Sequence, residues 1–495
     1  MLLAAVALAV FEGDLLYKLQ EQNLFMHTPL FFQQRMVVAG GLLTWAGSYL
    51  TQFFYYPMLG AGLLCLLWAF FMFLLGRAFR VGKAWFPLTL VPVACLLLNI
   101  ADLGYWVYYL KLPGHAFVAT LGSIVAVVLA WHYSLLSKRP LSVRLLFILL
   151  SASLGYPLFG FYALWGVVLM AVIALRGKAA RWPADVAMAV LAVIAVPLVC
   201  YQYVFHETNI VNIYWAALPV YARPEGSFPA YSLPYVVLVV SVLLFALRPV
   251  VKVGQWLQSL VLTLTAAFVL MFWYRDDNFH RELSMSRSIW EAQWDEVLST
   301  AKATKGEPTR LVCIMKNLAL TRLHRQPQEA VQYPEGARRP NAPFSVRNVH
   351  TEGKLVYLHY GIPNYCYRWC MEDGVEYGWS VEKLKLMMLC SLLNGEAVAA
   401  QRFANMLKKT DFHSSWAKRH EQYVRNPLLM AGDPALAGIL PLLRQDNFLT
   451  ADQSQLELFL VEQLLSTQGD TPEQRELANF TMFYYRNNRQ KLAEQ

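Results

Sequence analysis

Residues 57–76 read PMLGAGLLCLLWAFFMFLLG, and residues 77–83, which follow directly, read RAFRVGK. The first stretch carries no charged side chain and is long enough to cross the hydrocarbon core of a bilayer as a helix. The second stretch supplies Arg77, Arg80 and Lys83. An apolar run that ends in a basic loop predicts a membrane-spanning helix whose C-terminal end faces the cytoplasm.

The rest of the chain has the same character. Its 495 residues are 57% hydrophobic and 15% charged, with a mean hydropathy of +0.36, which is too apolar for a soluble globular protein. Hydropathy predicts eight clear spans, and residues 1–11 are a doubtful ninth. The eight are 57–76, 86–103, 115–137, 143–156, 158–175, 183–204, 231–247 and 253–273. The sequence therefore predicts an all-α polytopic membrane domain over residues 1–274.

Residues 1–11 (MLLAAVALAVF) are a poor membrane span as they stand. A helix of this length rises about 16 Å, roughly half of a hydrocarbon core. No basic segment precedes the run and no small-residue cleavage site follows it, so it does not fit a signal peptide either. We expect the native first helix to be longer.

Charge separates the two parts of the chain and orients the first. Residues 1–274 hold 15 Lys/Arg and 7 Asp/Glu, whereas residues 275–495 hold 27 and 26. Basic residues cluster in every second loop of the first part, which predicts the cytoplasmic side. They are Arg77, Arg80, Lys83, Lys138, Arg139, Arg144, Arg176, Lys178, Arg181, Arg248 and Lys252. The 12–56, 104–114 and 205–230 loops and the whole of 275–495 are then expected outside the cytoplasm. This arrangement predicts a bacterial inner-membrane protein with a periplasmic C-terminal domain.

Three carboxylates stand at the predicted outer ends of spans. Glu12 and Asp14 follow the first apolar run, and Asp102 closes the 86–103 span. Acids at the membrane surface are costly unless they meet water, a metal or a partner, so they are functional candidates. The alternatives are a solvated loop start for Glu12 and Asp14 and a helix-end hydrogen bond for Asp102.

The order of these features resembles the GT-C superfamily of lipid-linked-sugar glycosyltransferases and oligosaccharyltransferases. The shared features are a first membrane helix, an outer loop that begins with spaced acids, an amphipathic stretch at 36–54, and many spans with short loops. The resemblance implies that Glu12 and Asp14 act as catalytic base or hold a divalent metal, Mg²⁺ or Mn²⁺, with Asp102 as a second acid. It also implies a membrane-lipid donor, a polyprenyl-phosphate-linked glycan. Residues 40–57 further resemble an uncharacterised bacterial membrane family with a helical-repeat tail.

A leaving polyprenyl phosphate needs positive charge. Arg223 is the only basic residue of the 205–230 loop, and an arginine binds phosphate with a fork of donors. His206 is a nearby polar companion in that loop. The alternative for Arg223 is a side chain that snorkels to the lipid headgroups. Motifs of NTPases, serine hydrolases and zincins are missing from the sequence, and we expect no nucleic-acid partner.

The sequence after residue 275 predicts a TPR-like α-solenoid. Ser380 is a candidate N-cap for a helix over 381–393, residues 394–396 form a turn, and a helix over 397–409 returns. Further helices are expected at 288–304, 309–324, 356–371, 413–425, 434–443, 454–467 and 472–491, with a loop at 326–352. Such arrays chiefly bind proteins, so a protein partner or acceptor is expected here.

Two cysteines of this second part, Cys366 and Cys370, lie one helical turn apart, where a disulfide is usually strained. His359 is the only further zinc ligand nearby in the sequence, so buried thiols are the expectation. For the whole chain, the sequence predicts a transferase that uses a polyprenyl-linked glycan at the outer face of the inner membrane. The alternatives are a non-catalytic membrane-anchored scaffold for envelope assembly and, less strongly indicated, a transporter or flippase.

Overall fold

A computed structural model describes residues 1–177, 181–220, 232–247, 254–325, 329–336 and 338–443. Within these ranges the regular structure is helical, and one isolated bridge joins Thr309 and Arg338. The all-α prediction is therefore confirmed. The chain forms two compact units: unit 1 comprises Met1–Leu103 and Leu110–Tyr274, and unit 2 comprises Gly104–Tyr109 and Arg275–Gln495.

Unit 1 is built from thirteen helices among its described residues. They are α1 Leu2–Phe11, α2 Gly13–Glu21, α3 Pro29–Arg35, α4 Gly41–Thr51, α5 Pro57–Ala78, α6 Leu90–Ala101, α7 His115–Leu136, α8 Leu141–Ser153, α9 Gly155–Phe159, α10 Phe161–Gly177, α11 Trp182–Tyr203, α12 Ser232–Leu247 and α13 Gln255–Phe272. Short 3₁₀ turns lie at Gln52–Tyr55, Phe86–Thr89 and Ile210–Trp215.

Five helical stretches of the described residues are long and apolar enough to cross a membrane. They are Pro57–Ala78, His115–Leu136, Leu141–Phe159, Trp182–Tyr203 and Gln255–Phe272. Shorter apolar helices occupy the other predicted spans: Leu2–Phe11, Phe86–Ala101, Phe161–Gly177 and Leu233–Leu247. Helices able to cross a membrane are thus present where the sequence predicted them, and the total of nine spans stays a prediction.

Helix α7 lies at the centre of unit 1, with α4, α5 and α10 packed against it. Small residues mark two of these crossings, because Gly47 lies against Gly114 and Gly122 lies under the ring of Tyr162. Such residues let helix backbones approach closely, as they do in membrane helix bundles.

The predicted 12–56 loop is mostly helical, and α2, α3 and α4 occupy it. The sequence predicted an amphipathic stretch from residue 36. The predicted start is wrong, because residues 36–40 form a turn in which Gly40 has φ +82°. The helix proper begins at Gly41, and Leu43, Gly47 and Ser48 are buried on α4.

Unit 2 contains eight helices in its described part. They are α14 Asp277–Trp290, α15 Trp294–Lys302, α16 Arg310–Arg322, α17 Gly353–His359, α18 Pro363–Tyr377, α19 Val381–Leu393, α20 Ala397–Leu407 and α21 Ser414–Arg425. Each helix packs against the next along the chain, and α14, α17 and α19 also contact the helix after that. Packing between sequence neighbours is typical of helical-repeat domains, and a TPR-type array stays a prediction.

Several sequence-based helices of unit 2 match closely and others need correction. The Ser380 hydroxyl accepts a hydrogen bond from the Lys383 N–H at 3.3 Å, so the predicted N-cap of α19 is confirmed. The expected helix 288–304 is broken near Ala292, whose φ is +55°. The expected helix 356–371 is split before Pro363, which begins α18. Residues 434–443 form turns and a short 3₁₀ stretch instead of an α-helix, and the expected helices 454–467 and 472–491 lie outside the described residues.

All seven cysteines are free and buried, as the sequence predicted for those of unit 2. Unit 2 also includes the segment Gly104–Tyr109, which the sequence analysis treated as a short outer loop. Tyr105 and Tyr108 of this segment are buried and donate hydrogen bonds to Glu282 and Glu352, at 2.9 and 2.6 Å. An aromatic segment from the first part of the chain thus completes the polar core of unit 2.

Candidate functional site

Glu12 lies where α1 meets α2. Its N–H donates to the carbonyl of Leu8, and its own carbonyl accepts from the N–H of Leu16, so the backbone remains hydrogen-bonded through the junction. The side chain is only 2% exposed, and the indole Nε1–H of Trp273 donates to its Oε1 at 2.6 Å. Glu12 is therefore held in place by a residue that directly follows α13.

The structure brings the neighbourhoods of Glu12 and Asp102 together. Trp273 bonds Glu12, and the N–H of the next residue, Tyr274, donates to the carbonyl of Ala101 at 3.0 Å. Asp102 directly follows Ala101 at the C-terminal end of α6. Two consecutive residues after α13 thus bond Glu12 and the residue that precedes Asp102.

Asp102 differs from Glu12 in its partners. Its backbone N–H closes α6 by donating to Leu98, and its side chain is half-buried. Within the described residues, no group donates a hydrogen bond or contributes an ion pair to its carboxylate. The expected alternative, a helix-end hydrogen bond from this side chain, is not formed there. Of the three candidate acids, Asp102 has the carboxylate that is most available to accept a proton.

Asp14 lies in the first turn of α2, where a negative charge is favoured by the helix dipole. Four residues on, Lys18 is buried and lies 3.7 Å from the buried carboxylate of Glu21. Residues three and four apart share a helix face, so Asp14, Lys18 and Glu21 form a charged stripe. All three belong to the stretch predicted as the outer 12–56 loop, and in the structure Lys18 and Glu21 are buried within it.

Polar atoms near α4, α6 and α7 add to this end of unit 1. Asn23 donates from Nδ2 to the carbonyl of Ser48 at 2.9 Å, and His115 Nε2 bonds the carbonyl of Asn99 at 2.9 Å. Asn23 Oδ1, Ser48 Oγ and His115 Nδ1 are buried and have no hydrogen-bond partner within the described residues. Buried polar atoms normally find partners, so these three atoms favour contact with water or a polar ligand.

The predicted phosphate-binding residues are less well supported. Arg223 lies outside the described residues, so its position is not tested. His206 is exposed in the turn that follows α11. Another basic residue borders the same segment, because the N–H of Lys111 donates to the carbonyl of Val220 at 2.9 Å. The sequence analysis gave Lys111 no role. Its position on the predicted outer loop 104–114 could have indicated a basic group on the same side as Arg223.

A divalent metal has few protein ligands here. Among the described residues, no group of three or more His, Cys, Asp or Glu side chains is arranged to hold a metal ion. Glu12 and Asp14 would offer two carboxylates at most. Magnesium is commonly bound by one or two carboxylates together with substrate phosphates and water, so a pair does not exclude it.

Trp273 is the residue of this site that sequence reasoning missed. It ends the last apolar run of unit 1, and aromatic residues at such positions usually anchor a helix in the membrane interface. Only the fold shows that its indole meets Glu12, 261 residues earlier in the chain.

Comparison with characterised proteins gives no further assignment, since neither a curated protein nor a solved structure matches the chain. One family model, described as a family of unknown function, DUF6057, matches residues 1–472. Because this match extends over nearly the whole sequence, the protein belongs to the DUF6057 family.

Proposed function

We propose that this protein is an integral-membrane glycosyltransferase or oligosaccharyltransferase that takes its glycan from a polyprenyl-phosphate carrier at the outer face of a bacterial inner membrane. The observation that supports it best is the half-buried carboxylate of Asp102, which has no hydrogen-bond or ion-pair partner among the described residues. Trp273 and Tyr274 link its neighbourhood to the hydrogen-bonded carboxylate of Glu12. The basic loops and the apolar helices of unit 1 support the membrane location, and the lack of such helices in the described part of unit 2 fits a periplasmic domain.

The chemistry needs one base and a means of stabilising a phosphate. An acceptor hydroxyl attacks the anomeric carbon of the donor while a carboxylate takes its proton, and the bond from that carbon to the phosphate oxygen breaks. We assign the base to Asp102, because its carboxylate has no competing partner among the described residues. The polyprenyl phosphate leaves with the electron pair of the broken bond.

Glu12 and Asp14 then have supporting roles. The hydrogen bond from Trp273 fixes Glu12, and fixed charges stabilise developing charge better than mobile ones. If Mg²⁺ or Mn²⁺ takes part, Glu12 and Asp14 are the residues that would hold it, and it would neutralise charge on the donor phosphate. Arg223 and His206 remain the candidate groups for that phosphate.

The test compares envelope glycans of a host strain that carries Asp102→Asn, Glu12→Gln or Asp14→Asn in place of the wild-type chain at equal membrane abundance. Loss of a general base typically lowers the rate by about 10²–10⁴-fold, so the Asp102→Asn strain should lose the glycan products that a deletion strain loses. Glu207→Gln, at an exposed carboxylate of the 205–230 loop, is the matched control and should leave them unchanged.

Two results would refute the transferase. In the first, the deletion strain has a normal glycan profile. In the second, the deletion alters the envelope but Asp102→Asn and Glu12→Gln both restore it fully. The second result would favour the competing proposal, a membrane-anchored scaffold that acts through the helical array of unit 2.

A further inference from the structure

An open groove follows the outer side of α18 in unit 2. It consists of two adjoining cavities of about 480 and 600 Å³ that share Met371 and Glu372 in their walls. Residues from Asn364 to Tyr377 line it, a span of roughly 20 Å along a helix. The groove is therefore long enough for a short polymer, and each cavity lies within the usual size range of ligand pockets.

Four formally charged residues line the groove, Arg368, Glu372, Asp373 and Glu376, and the first three are paired within the protein. Arg368 Nε lies 2.8 Å from the carboxylate of Glu372. Asp373 lies between Lys354 and His350, with Lys354 Nζ 2.7 Å from Oδ2 and His350 Nδ1 2.8 Å from Oδ1. Burial alone would raise the pKa of Asp373, but Lys354 and His350 hold that pKa below its ordinary value. Because Glu372 and Asp373 already have partners within the protein, the groove is poorly matched to a highly charged ligand.

His350 presents a fixed polar atom at one end of the groove. Its ring packs edge-on against Tyr109, Trp369 and Tyr377, with centroid distances of 5.8, 5.4 and 6.0 Å. Nδ1 is bonded to Asp373, so Nε2 is the ring nitrogen left for a ligand, and His350 lines the cavity. A side chain held in this way loses little conformational freedom on binding.

The remaining wall combines apolar and aromatic surface with these polar groups. Met371 and Val375 are 38% and 78% exposed, and Tyr367 and Tyr377 lie towards opposite ends. A sugar ring offers the matching surface, since its faces are apolar and the hydroxyls at its rim both donate and accept hydrogen bonds. Side chains with donors and acceptors at fixed positions provide the specificity in such pockets.

We propose that this groove binds a neutral oligosaccharide, with the Nε2 of His350 hydrogen-bonded to a sugar hydroxyl. The proposal rests on the transferase function above and identifies unit 2 as the part that holds the glycan being extended or transferred. A charged peptide is the competing occupant. The paired carboxylates favour the glycan, because a basic peptide would have to displace Arg368 and Lys354 from them.

The experiment uses the full-length protein in nanodiscs and fluorescently labelled neutral hexasaccharides of glucose, mannose and N-acetylglucosamine, with hexalysine and hexaglutamate as charged probes. We expect saturable binding of at least one neutral hexasaccharide. Val375→Glu places an unpaired charge in the groove and should weaken that binding by roughly 10-fold or more. Val398→Glu is the matched control, because Val398 on α20 is 70% exposed and does not line the groove.

A second variant tests the role of His350. In His350→Asn the amide nitrogen takes the place of Nδ1 and keeps the bond to Asp373, whereas the atom equivalent to Nε2 is lost. It should weaken binding while leaving the melting temperature near that of the wild type. The proposal is overturned if no neutral hexasaccharide binds, if Val375→Glu and Val398→Glu bind it equally, or if hexalysine alone binds.

The hexasaccharide-binding experiment can fail independently of the glycan-profile experiment. Asp102→Asn should bind the hexasaccharide as the wild type does, even though it makes no product. If the protein binds the hexasaccharide but the Asp102→Asn strain has a normal glycan profile, the transferase is contradicted and the groove proposal is supported. If the Asp102→Asn strain has an altered glycan profile but the protein binds no neutral hexasaccharide, the transferase is supported and the groove proposal is overturned.

Discussion

Glu282→Gln tests whether a buried carboxyl of unit 2 is protonated in the folded protein. Glu282 is 1% exposed on α14, and it accepts hydrogen bonds from Tyr105 at 2.9 Å and Thr309 at 2.6 Å. Burial raises the pKa of Glu282 from 4.5 to about 8, and the charges of Asp276 and Glu352 add to the rise, whereas the two hydrogen bonds lower it. At neutral pH the carboxyl is therefore mostly protonated.

The sign of the pH dependence follows from this raised pKa. Between pH 4.5 and about 8 the folded state binds more protons than the unfolded state, so stability falls as pH rises through that window. One pKa unit corresponds to about 1.4 kcal/mol, which gives roughly 5 kcal/mol over the whole window. This is an upper value, because relaxation of the structure and entry of water reduce the cost of a buried charge. The stabilising contribution is complete below pH 4.5 and is lost above pH 8.

Glutamine keeps the shape of the protonated carboxyl and cannot ionise. Glu282→Gln should match the wild type within about 1–2 kcal/mol at pH 5, the cost of a changed hydrogen bond, and should become the more stable form at pH 9. For a unit of this size 1 kcal/mol corresponds to about 2–4 °C, so we expect a gain of roughly 5 °C in melting temperature at pH 9.

The assay is the thermal unfolding of the full-length protein in detergent, followed by tryptophan fluorescence from pH 5 to 9. Glu291→Gln is the control, since Glu291 closes the same helix but its side chain is 47% exposed. If the difference between Glu282→Gln and the wild type does not change with pH, the carboxyl is not protonated in the folded state and the reasoning is wrong.

Three further predictions concern unit 1. Arg144 Nη2 lies 2.9 Å from the buried carboxylate of Asp185, so Arg144→Ala should cost about 3–5 kcal/mol in a denaturant titration, and a double variant with Asp185→Ala should recover part of that loss. Gly122→Ala would place a methyl group 2.3 Å from the ring of Tyr162 and should destabilise the protein by about 1–3 kcal/mol, measured by size-exclusion chromatography after heating. Trp273→Phe removes the donor to the candidate carboxylate and should lower the yield of glycan product by roughly 10-fold or more, without loss of membrane abundance.

Local signals in the sequence were sufficient for many helices. The apolar run that begins at Pro57 becomes α5, and the predicted helix 381–393 is α19 with the same bounds. These segments carry their own information, because the length of an apolar run and the presence of an N-cap are both read within a few residues. Corrections were needed where a proline or a residue with positive φ interrupts a continuous helical pattern, as before Pro363 and at Ala292.

Partners distant in the sequence could not be predicted in the same way. The Tyr105 hydroxyl meets a residue 177 positions later, and that of Tyr108 meets one 244 positions later. Periodicity indicates that a segment has a buried face and does not indicate what covers that face. Helix α2 shows the same limit. Charged residues such as Lys18 and Glu21 are usual in solvated loops, and here they are nevertheless buried.

The candidate site illustrates how the fold changes the meaning of a motif. The spaced acids Glu12 and Asp14 were the best clue to chemistry in the sequence, whereas Asp102 was a single acid at a helix end. In the folded chain Glu12 is engaged by Trp273, and the Asp102 carboxylate has no partner among the described residues. A base must exchange its proton with substrate, so availability matters more than clustering. If the chain is a transferase, substitution of Asp102 should therefore impair the chemical step more severely than substitution of Glu12, whose loss should chiefly weaken the positioning of the donor.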